Sequence, residues 1–287
     1  MTPLPAPALT LDGIDIFVEG SGTHTVVMLH GWPDTCRLWD ATVQSLHHQY
    51  RCVRFTLPGF DSTAAPRPTS LEAMTAFIAK VIAQTSPGAP VTLLMHDWGC
   101  MYGYAVAASH PALVARIAAA DIGDYNTGTY VRSLPARAKL GIVVYQLWLA
   151  VAWKIGKLHA AGGNWMTRFM ARQLRCPVPP AALHWQVNYP YAMQWFGLLG
   201  GFKGAAKVRV THPTLYLYGL RKPFMFQSPQ WLATLQATPG CAVHAMRTGH
   251  WIMLDKPAEF SAHVLAWLDS TVVATTVQPD TKNLLQK

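Results

Sequence analysis

Val91–Cys100, VTLLMHDWGC, decides how the rest of the chain is read. Its first half, Val91-Thr92-Leu93-Leu94-Met95, is apolar and free of turn residues, the pattern of a strand buried on both faces. The run stops at His96-Asp97-Trp98-Gly99, and Cys100–Ser109 returns to helical composition. Strand, sharp turn and helix form a context in which one side chain is lifted clear at the top of a sheet. The residue at the tip is Asp97, not a serine or cysteine. A carboxylate attacks saturated carbon by displacement and is left as an alkyl ester. That chemistry points towards epoxides and alkyl halides and away from ordinary esters. Taken alone, Asp97 reads better as the N-cap of the next helix, where aspartate is favoured. The case for chemistry therefore rests on the rest of the chain.

Working outward, Leu9–Glu19 predicts two short strands turning at Asp12-Gly13. Val26–Leu29 is an apolar, central strand that runs into His30-Gly31-Trp32-Pro33-Asp34. A helix over about Leu38–His48, the strand Arg51–Thr56 and the turn Leu57-Pro58-Gly59-Phe60 follow. Ser70-Leu71-Glu72 opens a helix to about Gln84, and beyond the central strand Arg116–Ala120 is another, closed by Asp121-Ile122-Gly123-Asp124. Strands alternating with helices argue an α/β chain with a largely parallel, doubly wound sheet.

From Tyr125 to about Arg209 the pattern becomes helical and aromatic, so 125–209 reads as an inserted helical cap between core segments 1–124 and 210–287. Within it Ile142–Trp153 is apolar but too short to span a bilayer and is interrupted by Gln146, which predicts a buried or surface-lying helix. Sheet pattern resumes at Thr214–Gly219, followed by a helix near Pro229–Gln236, a strand near Ala242–Met246, a last helix Pro257–Ser270 and a polar, loosely held tail from Thr271.

The chain has 287 residues, half of them apolar, and can bury a sizeable core. Its N-terminus lacks the basic start and apolar stretch of a signal peptide. The five cysteines are scattered, odd in number and without metal-binding spacing, which fits a reducing cytoplasm. The net charge of +9 is unevenly placed, with no Asp or Glu between Asp124 and Asp255. The basic residues there are dispersed among Trp and Leu with no reader motif, so nucleic acid is not the expected partner. A basic, Trp-rich cap fits peripheral contact with a membrane or with acidic amphiphiles better.

His30-Gly31-Trp32-Pro33, Leu57-Pro58-Gly59-Phe60, His96-Asp97-Trp98-Gly99 and Gly249-His250-Trp251 occur in one order at compatible spacing. Together, over about residues 9–270, they resemble the epoxide hydrolase and haloalkane dehalogenase branch of the α/β-hydrolase superfamily. The resemblance implies Asp97 as nucleophile and His250 as the base that activates water against the ester. It implies an oxyanion hole made by the backbone N–H groups of Trp32 and Trp98, and neither metal nor cofactor. Tyr145-Gln146-Leu147-Trp148 looks like the first ring-opening tyrosine of epoxide hydrolases, and Asn188-Tyr189-Pro190-Tyr191 like the region of the second, with Tyr189 and Tyr191 both open. The substrate implied is a small apolar or amphipathic epoxide. Dehalogenation with the same Asp97 and His250 is the alternative, although Trp32 stands where dehalogenases usually place Asn. A catalytically inactive, lipid-binding member is the reading from a different class.

Three departures from the family pattern stand out. Met95 lies two residues before Asp97, where a small residue is usual, and Asp61 replaces a usual Gly. The loop after Tyr218-Gly219, the commonest place for the acid that orients the histidine, reads Leu220-Arg221-Lys222-Pro223-Phe224 without a carboxylate. An imidazolium needs an anion on its other nitrogen, and composition excludes everything between Asp124 and Asp255. Asp255 and Glu259 read as helix N-terminal charges. What remains is the end of the strand before the cap, where the resemblance puts an acid at Asp121, with Asp124 in reserve.

Overall fold

The computed structural model describes residues 3–276. Eight strands form one sheet in the order β1-β2-β4-β3-β5-β6-β7-β8. β1 (Leu9–Leu11) and β2 (Ile14–Glu19) make the expected hairpin, with Asp12 and Gly13 at φ 50° and 76° in the turn. β2 runs antiparallel to β4, and every pairing from there to β8 is parallel. β3 (Thr25–Leu29) leads through a short 3-10 turn to α1 (Asp40–Leu46), so the expected helix over 38–48 is split in two. β4 (Arg51–Phe55), α2 (Leu71–Thr85), β5 (Val91–His96), α3 (Trp98–Ser109) and β6 (Val114–Ala120) then alternate as the sequence predicts. β3 and β5 are buried along their whole length, which is what their unbroken apolar runs require.

Between β6 and β7 the chain is helical: α4 (Gly128–Ser133), α5 (Ala136–Leu158), α6 (Ala160–Gln173) and α7 (Tyr189–Phe196). α5 is 23 residues long, about twice the apolar stretch expected. Gln146 does not interrupt it, because its side chain donates to the Tyr145 hydroxyl at 3.1 Å and accepts from the Trp195 indole at 3.2 Å. The length and composition of α5 would suffice to cross a membrane. β7 (Thr214–Gly219), α8 (Pro229–Ala237), β8 (Ala242–Met246), α9 (Ile252–Asp255) and α10 (Pro257–Thr276) complete the core. The last helix runs past its expected end at Ser270, and the rest of the predicted tail, 277–287, lies outside the described residues.

Two apolar clusters fill the faces of the sheet. One joins α2, α3 and the cap through residues such as Phe77, Tyr102, Leu149 and Tyr189, and the other joins α1 and α10 through Trp39, Leu46, Phe260 and Leu268. The parallel register sets Leu29 beside Met95, His96 beside Ala120 and Ala120 beside Leu217. The carboxyl ends of β3, β5, β6 and β7 therefore finish at one edge, where open α/β sheets place their ligands.

Candidate active site

β5 ends into α3 with no intervening loop, and Asp97 takes the strain of that corner at φ 52°, ψ −123°. A non-glycine residue in this conformation costs of order 1–3 kcal/mol and persists only where its surroundings hold it. Its side chain does not cap α3, so the simple capping role is not what the residue does. The corner closes because α3 comes tight against β3: a Cβ on Gly99 would lie 2.3 Å from the Leu29 carbonyl oxygen. Met95 fits because Gly103, one turn into α3, leaves room for its sulfur, which lies 2.0 Å from where a Gly103 Cβ would be. The unusual methionine is thus matched by a glycine four residues beyond the His96–Gly99 motif.

The Asp97 carboxylate is held in two directions. The backbone N–H of Trp32 donates to Oδ1 at 2.7 Å, while Oδ2 lies 3.4 Å from His250 Nε2. Trp98 is the first residue of α3, so its N–H is one of those a helix leaves unbonded at its start. The Trp32 loop is fixed by His30, whose Nε2 accepts from Leu57 N–H at 2.9 Å and whose Nδ1 then donates to the Gly31 carbonyl at 3.0 Å. Burial holds His30 neutral, with its pKa pushed down to about 4. The Trp32 indole N–H donates to Asn188 Oδ1 at 2.8 Å, and Asn188 in turn donates to Thr167 Oγ1 at 2.7 Å, tying the loop to the cap. Asn188 stands next to the tyrosine motif, but no periodicity singles it out.

On its other side His250 Nδ1 meets Asp121 Oδ2 at 2.5 Å. Asp121 sits at φ 72° just past β6 and is fully buried. Its second oxygen accepts from Gly219 N–H at 2.9 Å and pairs with the Lys222 ammonium. Burial alone would raise the Asp121 pKa, but Lys222 and His250 outweigh it and hold the carboxyl below its usual range. Lys222, itself buried, thus neutralises an acid that comes from the neighbouring strand end. Sequence reading missed this role, although its signal was present: a lysine in the loop where a carboxylate was sought.

Burial also acts to lower the His250 imidazole, yet its hydrogen bonds to Asp121 and Asp97 lift it to about 9. The ring thus lies between two carboxylates that favour its charged form. Asp97 stays ionised, because His250 overcomes the effect of burial on it. His96, its ring tilted 42° to that of His250 with centroids 4.5 Å apart, is held neutral by burial first and then by the His250 charge, at a pKa of about 3. It holds the backbone carbonyl of His250 at 3.1 Å.

Asp124 is placed elsewhere. Its carboxylate accepts from Ser228 N–H at 2.7 Å and from the hydroxyls of Ser228 and Thr127 at 2.8 Å, stapling the start of the cap to α8. The structure does not bring it to His250; its three bonds explain why a buried carboxylate is there at all.

A cavity of about 880 Å³ opens over Asp97 and His250. Tyr145 and Tyr191 both line it, with ring centroids 6.2 Å apart at 79°. Tyr145 stacks on Phe224 at 6.0 Å, and its hydroxyl oxygen accepts from Gln146, which leaves its own proton free to donate. Tyr191 packs edge-on against Trp98 at 5.1 Å and Trp32 at 6.0 Å. Tyr189, left level with Tyr191 by the sequence, turns the other way: it packs on Phe60 at 5.5 Å and donates its hydroxyl to the Pro58 carbonyl at 2.9 Å. It does not line the cavity. Arg175, Arg221 and Arg247 stand in the cavity wall together with Asp255, which accepts from Gly249 N–H at 2.7 Å.

A carboxylate held by a backbone N–H, beside an imidazole that a second carboxylate holds from behind, at a cavity with two tyrosines in its wall, is an arrangement that could open a strained ring or displace a leaving group from carbon. Comparison with known proteins agrees in kind. The alpha/beta hydrolase family model matches residues 26–263. "Probable oxidoreductase EphD" of Mycobacterium tuberculosis is 40% identical over 94 residues, and the epoxide hydrolase srdG of Neurospora crassa is 35% identical over 117. These matches cover 31% and 39% of the chain but only 16% and 34% of the relatives' own length. A cis-3-alkyl-4-alkyloxetan-2-one decarboxylase of Shewanella oneidensis is 24% identical, with 91% of this chain and 87% of that one covered. The solved epoxide hydrolase of Bacillus megaterium shares the fold, with a TM-score of 0.65 at 17% identity over 89% of this chain and 96% of that one. The chain belongs to the alpha/beta hydrolase family and, within it, is similar to the epoxide hydrolases.

Proposed function

We propose that the protein hydrolyses an epoxide to a vicinal diol through an alkyl ester on Asp97. The observation that carries this reading is the division of labour between the two Asp97 oxygens. Oδ1 is already hydrogen-bonded to the Trp32 N–H, while Oδ2 lies 3.4 Å from His250 Nε2, in a residue that lines the cavity. Oδ2 attacks a ring carbon, the carbon–oxygen bond of the ring breaks, and its electron pair passes to the ring oxygen. Tyr145 and Tyr191 donate to that oxygen as charge develops, an interaction stronger in the transition state than in the ground state. Esterification removes the Asp97 charge, one of the influences that raise the His250 pKa. The imidazolium can then pass its proton, by way of a tyrosine hydroxyl, to the ring oxygen, which becomes the first hydroxyl, and the neutral imidazole acts as base. It takes a proton from water, hydroxide adds to the ester carbonyl, and the oxyanion at Oδ1 is held by Trp32 and Trp98. Collapse expels the diol oxygen, which receives its proton from His250, and frees Asp97.

A single turnover in heavy-oxygen water tests the scheme. The diol should carry an unlabelled oxygen from Asp97, and the peptide containing Asp97 should acquire the label. Label passing straight to the diol, with Asp97 unmarked, would exclude the ester.

The extent of the match to the oxetanone decarboxylase favours a second reading on the same machinery. Oδ2 would displace the carboxylate from the ring carbon of a four-membered lactone, giving an alkyl ester with a free carboxylate beside it. Loss of carbon dioxide would send the electrons of the broken carbon–carbon bond into an alkene as the Asp97 carboxylate leaves. No water is consumed, so Asp97 would remain unlabelled while carbon dioxide is released.

A further inference from the structure

Among the described residues, the large apolar side chains exposed to solvent are concentrated in the cap: all but Leu220 and Leu254 lie between Val131 and Leu199. Their placement on α5 is regular. Leu140, Val144, Leu147, Val151, Ile155 and Leu158 recur at steps of three and four residues, so they share one side of the helix. Leu140 is 64% exposed, Val144 54% and Leu158 91%. The stripe runs about 27 Å at the rise of an α-helix. The opposite side, with Ala138, Leu149, Ala152, Trp153 and Gly156, is the one packed inward. A cap helix made only for water would carry polar residues outward.

Beside the stripe, Trp165 of α6 is 55% exposed and stacks on Phe169 at 5.8 Å, with Trp148 joining the cluster at 5.3 Å from Phe169. Lys139, Lys154, Lys157 and Arg172 stand exposed around these groups, with Lys154 lying 3.8 Å from the centroid of Phe196. No carboxylate side chain occurs anywhere between Asp124 and Asp255 to balance them.

We propose that this outer face of the cap docks on an anionic lipid bilayer, with α5 lying in the plane of the interface. Its inward side is locked into the protein, so the helix offers lipid one side only and lies on the membrane without crossing it. An apolar stripe flanked by tryptophan and by cations is the composition the interface of an anionic membrane accepts. A second copy of the chain fits less well, because pairing two such faces would press like charges together with no acid to relieve them. Docking would also set the substrate cavity near lipid, since Tyr145, on the same helix, lines that cavity. The proposal does not depend on the reaction assigned to Asp97.

The test is co-sedimentation of the full chain with vesicles of phosphatidylcholine containing phosphatidylglycerol, and with phosphatidylcholine alone. Binding should need the anionic lipid and weaken with salt. Val144→Glu with Leu147→Glu should lower the partition coefficient by at least about tenfold, and Lys154→Gln with Lys157→Gln by about thirtyfold on anionic vesicles. Melting temperature and far-ultraviolet circular dichroism check that each variant is folded. Should the glutamate pair fail that check, quenching by brominated lipid, lost in Trp165→Phe, reads the same contact in an otherwise native cap. No binding to anionic vesicles, equal binding by the variants, or a dimer in ultracentrifugation that the glutamate pair dissolves would each overturn the proposal.

Discussion

Replacing Asp121 by asparagine should separate the two halves of the reaction. Attack by Asp97 needs no base, so ester formation should stay within about tenfold of the native rate, since the nucleophile and ring-opening donors are untouched. Hydrolysis needs His250 to become an imidazolium, and the bond that stabilises it is the 2.5 Å contact between Nδ1 and Asp121. A hydrogen bond to a charged group is worth roughly 1.5–3 kcal/mol, or about 10- to 150-fold in rate. An asparagine can also select the wrong tautomer, which extends the expected loss to about 10⁴-fold. The ester should therefore accumulate, and rapid quenching with intact-mass measurement should show the enzyme heavier by one substrate. The substitution also leaves the buried Lys222 without its anion, a penalty of roughly 3–5 kcal/mol. Adding Lys222→Met should restore the melting temperature and leave the adduct trapped, which distinguishes a chemical defect from a folding one. Asp124→Asn should turn over nearly normally. Native turnover in Asp121→Asn, or an adduct trapped by Asp124→Asn instead, would refute the assignment.

Tyr145→Phe and Tyr191→Phe should each slow ester formation by roughly 10²-fold, the usual cost of one transition-state donor, in stopped-flow tryptophan fluorescence. Tyr189→Phe should leave that rate alone and cost about 1 kcal/mol of stability through its lost bond to Pro58; a large loss of rate there would reverse the assignment of the two tyrosines. In the ester the His250 pKa should fall below its resting value of about 9, so the acid limb of kcat should lie below that pH; a limb at 9 or above would count against the scheme. Burial raises the Asp34 pKa to about 7, which its bond from the Trp251 indole at 2.9 Å offsets only in part. The folded protein thus holds a proton that the unfolded chain has released, and stability from this group is lost as pH rises from about 3.8 to about 7. Three pKa units correspond to an upper bound of roughly 4 kcal/mol, so Asp34→Asn should gain stability relative to the native protein between pH 5 and pH 8 in urea unfolding. An unchanged difference at the two pH values would show that the carboxylate is not the cause.

The core was legible because its signals are local. Val91–Met95 and Val26–Leu29 are apolar runs without turn residues, and both are fully buried strands. The placing of Asp121 beside His250 was legible by a global fact, the absence of other acids over a long interval, joined to a family position. The partnership of Lys222 was not, because it joins residues 101 apart through the fold of a loop. Tyr189 and Tyr191 could not be ranked, since residues two apart on a helix lie about 200° around it and sequence does not say which side meets the cavity. The extent of α5 was hidden by Gln146, a polar residue whose partners, Tyr145 and Trp195, are supplied by the cap itself.

The bond from the Trp32 indole to Asn188 ties the cap to the loop that cradles Asp97. Lifting the cap would pull on the same residue whose backbone holds Asp97, so a change in the cap is felt at the carboxylate. Transplanting this cap onto a related core, or a foreign cap onto this one, is then more than an exchange of specificity. A graft without an acceptor at position 188 would strand a buried indole N–H and loosen the cradle. The cap-swapped enzyme would lose speed even towards substrates too small to touch the new cap.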